Sequence, residues 1–274
     1  MPATLSHEVN GPTDASASAP TARTAPTVVL LGSLGSDRSM WNDQARDLSR
    51  DHRVIAVDHR GHGQSQIIDG PSTIADLAGD VLALLDSLGV SGFHVAGVSL
   101  GGALAQWLAV HHPERVESVA LMCTAAKFGE PAGWHDRAAA VREGGVAAVA
   151  DAVVARWLTP TRAEADPDLV ESLRQMVLAT PAEGYASCCD ALAGWDNRAD
   201  LGRITCPTLV LAGEDDPSTP PEVLKEIADG VPGADFVVVS PAAHVPTVEI
   251  PDQINEVLRG HLEAARHTQN TGSQ

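Results

Sequence analysis

The chain has 274 residues, 44% of them hydrophobic, which is enough to bury one sizeable core. Its 36 acidic and 18 basic residues leave a formal net charge of −18, which repels nucleic acids and anionic membranes, so neither partner is expected. Neither a secretory signal nor an apolar run of membrane-spanning length is evident, and a cytoplasmic location is therefore expected.

Short apolar runs predict the β-strands. The first lies around Thr4 to Val9, and the others lie at 27–31, 53–57, 93–97, 116–121, 208–212 and 235–239. The later runs are continuously apolar, which is typical of parallel strands covered on both faces. Residues 12–26, rich in Pro, Ala, Ser and Thr, predict a loose connector, and the tail after about Ala264 is expected to fray.

Helical sequence separates most of these strands. At 74–89 the apolar residues recur at helical spacing, and Gly89 provides a C-terminal stop. The alternation predicts an α/β fold with a mostly parallel sheet and helices on both faces. Strand signals vanish between about Thr124 and Ala199, so an all-helical lid is expected at 124–199. The core then comprises residues 1–123 and 200–274.

The segment VAGVSLGGALAQWLAVHHP at 95–113 places Ser99 in a Gly-x-Ser-x-Gly motif between a predicted strand and a predicted helix. This arrangement is typical of a nucleophile elbow, whose serine takes a strained conformation and whose glycines allow strand and helix to approach. The helix start and the Leu100 N–H would face developing negative charge. An incidental serine in a glycine-rich turn is the alternative, and the flanking elements disfavour it.

A serine hydroxyl needs a histidine to take its proton and a carboxylate to orient that histidine. His244 lies in the loop after the predicted strand at 235–239, late enough in the chain for this role. The loop after the strand at 208–212 carries two adjacent carboxylates, Asp215 and Asp216. The residue pattern alone does not separate these two.

These motifs resemble those of the α/β-hydrolase family. The resemblance runs from about Leu5 to Leu262 and rests on DHRGHGQS, GVSLGG, GEDDPSTP and AAHVP. More narrowly, the chain is similar to the 3-oxoadipate enol-lactonases of the β-ketoadipate pathway. That similarity rests on SLGSDRSMWNDQ at 33–44, on the segment at 124–157, on EGYASCCDAL at 183–192 and on the DPSTPPE loop.

The resemblance implies roles for further residues. Asp216 matches the fourth position of the family's Gly-x-x-Asp pattern and would be the catalytic acid. The backbone N–H of Leu34 would join that of Leu100 in the oxyanion hole. Gly32 and Ser33 depart from the His-Gly or Asn-Ser of relatives, which leaves the rigidity of this loop as the open question.

The resemblance also implies an activity, the opening of 3-oxoadipate enol-lactone to 3-oxoadipate in aromatic degradation. No cofactor is expected. No metal is expected either, because the His, Cys and Asp residues show no metal-ligand spacing. A general carboxylesterase, a perhydrolase or haloperoxidase relative, and a non-catalytic binding protein of the same fold are the alternatives. The oligomeric state stays open, and a homo-oligomer is compatible with the sequence.

A substrate that carries a carboxylate needs a local cation in so acidic a protein. Arg137, at the start of the expected lid, is the candidate, and Trp134 lies one helical turn earlier on the same face. An exposed arginine beside a core tryptophan is the alternative. In that case Arg38, Arg60 or Arg142 would be the cation.

Overall fold

A seven-stranded sheet forms the centre of the computed structural model, which describes residues 1–12 and 25–271. Most of the connector predicted at 12–26 lies outside these residues. The strands are β1 (His7–Asn10), β2 (Thr27–Leu31), β3 (Arg53–Val57), β4 (Phe93–Val98), β5 (Val116–Met122), β6 (Thr208–Gly213) and β7 (Asp235–Val239). Their order in the sheet is β1-β3-β2-β4-β5-β6-β7.

The sheet is parallel except at one edge, where β1 runs antiparallel to β3. Strands β2, β4 and β6 are buried along their whole length, as their continuous apolar sequence predicts. Strand β7 has an equally apolar sequence but is only partly buried, because it lies at the other edge. The mostly parallel α/β fold is therefore confirmed, and the full burial expected of β7 is wrong.

Helices flank this sheet on both faces. They are α1 (Asn42–Leu48), α2 (Ile74–Ser87), α3 (Leu100–His111), α4 (Pro131–Gly144), α5 (Ala150–Val154), α6 (Pro160–Ala165), α7 (Pro167–Leu178), α8 (Ala182–Ala193), α9 (Pro221–Gly230), α10 (Pro246–Glu249) and α11 (Pro251–Thr271). Helix α1 packs against α11, and α2 packs against α3. No helix in the described residues has the length and apolar character that a bilayer crossing requires.

Both ends of the chain differ from the prediction. Strand β1 begins at His7 rather than Thr4, because the N–H groups of Thr4 and Ser6 donate to side chains of the 58–66 loop instead of a neighbouring strand. Helix α11 continues to Thr271, past the point near Ala264 at which fraying was expected. The buried Ala265 and a 2.9 Å hydrogen bond between Arg266 and His52 hold the helix on the core as far as Arg266.

Helices α4 to α8 occupy the range in which the lid is predicted, and we call them the cap. Helix α4 packs against α8. The cap contacts the core closely at Gly184, since a Cβ there would collide with the backbone of Gly61. The buried hydroxyls of Ser72 in the core and Ser187 in α8 form a 2.7 Å hydrogen bond. Backbone packing and a buried polar contact therefore fix α8 on the core.

Several histidines are buried in this fold in their neutral form. Burial lowers the pKa of His62 to about 4, that of His94 to about 3 and that of His261 to about 4. An unfolded histidine titrates near pH 6.5. The folded state therefore binds fewer protons than the unfolded state between pH 6.5 and about 3.

We expect the free energy of unfolding to be highest above pH 6.5 and to decrease steadily as the pH falls towards 4. Each unit of pKa difference corresponds to about 1.4 kcal/mol, so the combined loss should reach several kcal/mol. Urea denaturation between pH 4 and 8 measures it. His94→Gln should flatten the slope, and equal stability at pH 7 and 4.5 would contradict the explanation.

Candidate active site

Ser99 lies in the turn between β4 and α3 in a strained conformation. Its φ of +56° and ψ of −113° lie in a region that non-glycine residues rarely adopt, at a cost on the order of 1–3 kcal/mol. The N–H of Ser99 donates to the carbonyl of Met122 at 3.0 Å, and the hydroxyl of Thr124 donates to the carbonyl of Ser99 at 2.7 Å. Bonds from the end of β5 therefore hold the serine in this turn.

The glycines of the motif are required by close backbone contacts. A Cβ at Gly97 would collide with the carbonyl of Gly101, and a Cβ at Gly101 would collide with the carbonyl of Leu31. Strand β2, strand β4 and helix α3 thus approach one another without side chains between them. The strand-to-helix turn predicted for Ser99 is present, and an incidental glycine-rich turn would not need these contacts.

Asp216 and His244 are in direct contact. The Nδ1 of His244 lies 2.8 Å from Oδ2 of Asp216, and both side chains are buried. Asp216 also accepts the hydroxyl of Thr219 at 2.7 Å and the N–H of Ser218 at 2.8 Å. Asp215, the other candidate acid, is exposed to solvent. The structure thus places Asp216, and not its neighbour, beside the histidine.

The charge of Asp216 determines which nitrogen of His244 carries the proton. Burial by itself raises the pKa of Asp216, but the His244 charge and the hydrogen bonds from His244, Thr219 and Ser218 bring it below its ordinary value. An ionised carboxylate only accepts hydrogen bonds, so Nδ1 of His244 is the donor. In the neutral ring, Nε2 therefore keeps a lone pair and can act as a base.

The loop after β2 is the proposed source of one oxyanion donor, and two buried histidines support it. The carbonyl of Gly32 accepts the N–H of Gly101 at 3.0 Å and Nε2–H of His59 at 2.8 Å. Farther along the loop, the N–H of Gly35 donates to Nε2 of His62 at 3.0 Å. A histidine with a pKa of about 4 stays neutral and can accept this bond. These bonds answer the question of rigidity raised by Gly32 and Ser33.

Of the two residues proposed as oxyanion donors, Leu34 lines the cavity and Leu100 does not. Leu34 lines the same cavity as Ser99 and His244. Leu100 is fully buried and begins α3, so its N–H is among those that have no carbonyl partner within the helix. Its place after Ser99 matches the position expected for the second donor.

The cavity has a volume of about 480 Å³, a usual size for a small-molecule site. Trp134 and Arg137 of α4 also line it, together with Phe128. The guanidinium of Arg137 lies 5.3 Å from the centre of the Trp134 ring, and the indole N–H donates to the carbonyl of Phe128 at 2.6 Å. The structure therefore brings both predicted cap residues to the same space as Ser99.

The three other candidate cations are already paired with carboxylates. Arg38 binds Asp58, and Arg60 binds the buried Asp80 through two nitrogens at 2.7 and 2.9 Å. Arg142 binds Glu183 at 2.9 Å and Asp190 at 2.8 Å. None of the three lines the cavity that contains Ser99. The geometry favours Arg137 over them.

Arg156 and Tyr185 are among the cavity residues that the sequence prediction did not name. Within the described part of the chain, neither Arg137 nor Arg156 has a carboxylate partner, and the buried hydroxyl of Tyr185 has no hydrogen-bond partner. Burial raises the pKa of Tyr185, so this hydroxyl stays protonated and can donate. Arg156 follows the short helix α5, where no periodic pattern indicates which way a side chain points.

Among the described residues, no group of three or more His, Cys, Asp or Glu side chains is arranged to hold a metal ion. The polar side chains that line the cavity include three serines, a threonine, a histidine, two arginines and a tyrosine.

Comparison with known proteins gives consistent results. Residues 26–249 match the family described as the alpha/beta hydrolase fold. The chain is 41% identical to 3-oxoadipate enol-lactonase 2 of Acinetobacter baylyi, over 87% of this chain and 89% of that protein. It is 34% identical to 3-oxoadipate enol-lactonase 1 of the same organism, over 95% and 94% respectively. The crystal structure of the enol-lactonase from Burkholderia xenovorans LB400 is 37% identical and has a TM-score of 0.89, over 94% of this chain and 96% of that one.

Removing the hydroxyl of Ser99 should abolish turnover and preserve the fold. The Ser99→Ala variant lacks the only group expected to form a covalent intermediate, and such losses cost on the order of 10⁴ to 10⁶ in rate. Ester hydrolysis and circular dichroism of the purified variant test this. A folded variant with nearly normal activity would exclude Ser99 as the nucleophile.

Neutralising Asp216 should be far more damaging than neutralising Asp215. Asp216→Asn removes the negative charge and replaces one acceptor oxygen with an NH₂ donor, which favours the wrong tautomer of His244, so we expect kcat to fall by about 10⁴. Asp215→Asn is the matched control and should retain activity within a few-fold, because this side chain is exposed. The reverse ranking in steady-state kinetics would move the acid to Asp215.

Proposed function

The chain belongs to the α/β-hydrolase fold family, and from this membership we propose that it is a serine hydrolase that opens 3-oxoadipate enol-lactone to 3-oxoadipate. The observation that carries the proposal is the 2.8 Å bond between Asp216 and His244 beside the cavity that Ser99 lines. Similarity to two enol-lactonases supports the choice of substrate. A role in aromatic degradation follows from the same choice.

The reaction begins with attack of Ser99 on the lactone carbonyl. Nε2 of His244 takes the hydroxyl proton as the Oγ–carbon bond forms, and Asp216 stabilises the resulting imidazolium. The carbonyl oxygen becomes an oxyanion, which accepts the N–H groups of Leu34 and Leu100. The dipole of α3 favours negative charge at the same point.

Collapse of this intermediate breaks the ring bond between the carbonyl carbon and the enol oxygen. The enol oxygen leaves with the bonding electrons, takes the proton from His244, and the enol then becomes a ketone. The leaving group stays attached to the acyl part, so the cavity must keep it away from the reverse attack. His244 next removes a proton from water as the water oxygen attacks the acyl carbon. The bond from that carbon to Oγ of Ser99 then breaks, Oγ takes the proton back from His244, and the carboxylate product leaves.

The carboxylate of the substrate needs positive charge, which the acidic surface does not offer. We propose that Arg137 binds it, with the Trp134 face holding the guanidinium in place. Arg156 and the Tyr185 hydroxyl line the same cavity and supply further donors. Arg137 is half-buried and Arg156 is exposed, so solvent screening should make the contribution of Arg156 the smaller one.

The first test measures the proposed reaction itself. Purified protein should convert 3-oxoadipate enol-lactone to 3-oxoadipate, identified by mass spectrometry, and Ser99→Ala should not. Hydrolysis of neutral esters with no turnover of the lactone would instead favour a general carboxylesterase.

Charge selectivity provides a second test. Arg137→Ala should lower kcat/KM for the anionic lactone by about 10- to 100-fold, since a charge-assisted hydrogen bond contributes about 1.5–3 kcal/mol. It should hardly change kcat/KM for a neutral ester of similar size, and Arg137→Lys should rescue only in part. The matched control is Arg174→Ala, which removes one cap arginine that pairs with the exposed Asp151. An unchanged ratio of the two specificity constants would refute the role of Arg137.

A further inference from the structure

Glu249, the last residue of α10, is a buried carboxylate outside the proposed catalytic set. Its Oε1 accepts the N–H of Thr159 at 2.8 Å and the hydroxyl of Thr159 at 2.6 Å. Its Oε2 accepts the N–H of Ala243 at 2.7 Å. Three short hydrogen bonds to one buried side chain form a strong local constraint, because a buried donor that loses its acceptor costs about 1–3 kcal/mol.

The two residues bound by Glu249 belong to different parts of the molecule. Thr159 lies in the cap, immediately before α6, whereas Ala243 precedes His244 in the loop after β7. Glu249 therefore connects positions that are 90 and 6 residues away along the chain. Deleting its carboxylate would leave the buried N–H of Ala243 and two donors of Thr159 without their acceptor.

Backbone contacts between the same two segments reinforce the connection. The N–H of His244 donates to the carbonyl of Arg156 at 3.4 Å, and the N–H of Val245 donates to the carbonyl of Trp157 at 3.1 Å. From the core side, the thiol of Cys123 contacts the carbonyl of Ala243 at 3.7 Å. The residue before His244 is thus held through its N–H by Glu249 and through its carbonyl by Cys123.

We propose that Glu249 is a positioning residue that locks the His244 loop to cap residues 156–159. His244 and Arg156 line the same cavity, so this lock also sets the distance between the base and one of the cavity cations. The cap then cannot move at residues 156–159 without moving His244. The inference rests on the proposed role of His244 as the base, but not on the identity of the substrate.

The test compares Glu249→Gln with a matched control in the full chain. Glutamine has nearly the same size as glutamate, but one of its two acceptor oxygens is replaced by an NH₂ group. Either the donors of Thr159 or the N–H of Ala243 then lose their acceptor. With a neutral ester, we expect kcat to fall by on the order of 10-fold or more and KM to change little, because misplacing a catalytic group by 1 Å can cost about 10²-fold. Inactivation by a fluorophosphonate, which reports attack by Ser99, should slow in parallel.

Ser187→Ala is the matched control. It also removes a buried hydrogen bond between cap and core, but one that lies on α8 and does not touch the His244 loop. It should lower Tm and leave kcat unchanged. The downfield proton resonance of the His244–Asp216 bond should shift or broaden in Glu249→Gln and stay in place in Ser187→Ala.

Thr159→Val provides a milder variant, which keeps the backbone N–H bond to Glu249. It loses the hydroxyl that donates to Glu249 and accepts the N–H of Arg162 at the start of α6. Its effect on kcat should be smaller than that of Glu249→Gln, and the two effects should not add in the double variant, because they break the same contact. A folded Glu249→Gln with lower Tm but wild-type kcat and resonance would show that Glu249 only stabilises the fold. Failure of the fluorophosphonate to label wild-type Ser99 would instead refute the serine-hydrolase mechanism, and the resonance would then decide the role of Glu249.

Discussion

The buried hydrogen bond between Asp216 and His244 is the interaction on which the proposed chemistry depends. Its two residues follow the neighbouring parallel strands β6 and β7, whose carboxyl ends lie on the same side of the sheet. Ser99 lies on that same side, directly after the carboxyl end of β4. Parallel pairing thus brings together three side chains that are far apart in sequence. Thr219 and Ser218 complete the carboxylate's hydrogen bonds, which keeps it ionised in spite of its burial.

Two buried, neutral histidines stabilise the loop that follows β2. His59 and His62 hold the loop after β2 through its carbonyl and amide groups, respectively. Burial lowers the pKa of both histidines, so their hydrogen-bonding roles persist at neutral pH. The backbone is therefore held on both sides of Leu34, the proposed oxyanion donor.

The charge of the whole molecule and the charge of the cavity have opposite signs. A net charge of −18 leaves carboxylates available for most arginines, and Arg38, Arg60 and Arg142 are paired in this way. Arg137 and Arg156 have no such partner among the described residues and face the cavity. Distant surface carboxylates are screened over about 8–10 Å at ordinary ionic strength, so they oppose the proposed binding of an anion by Arg137 only weakly.

The amino-acid sequence by itself determined the strands of the sheet, the helical character of 124–199 and the turn at Ser99, because continuous apolar runs and glycine spacing report local burial and backbone geometry. It left Asp215 and Asp216 equivalent until a family resemblance separated them. Only the tertiary structure decided that β7 is half-exposed, that α11 continues to Thr271, and that Arg156, Tyr185 and Glu249 meet the cavity or the His244 loop. Those outcomes depend largely on contacts between residues tens of positions apart, and the periodicity of the sequence does not indicate which distant residues come into contact.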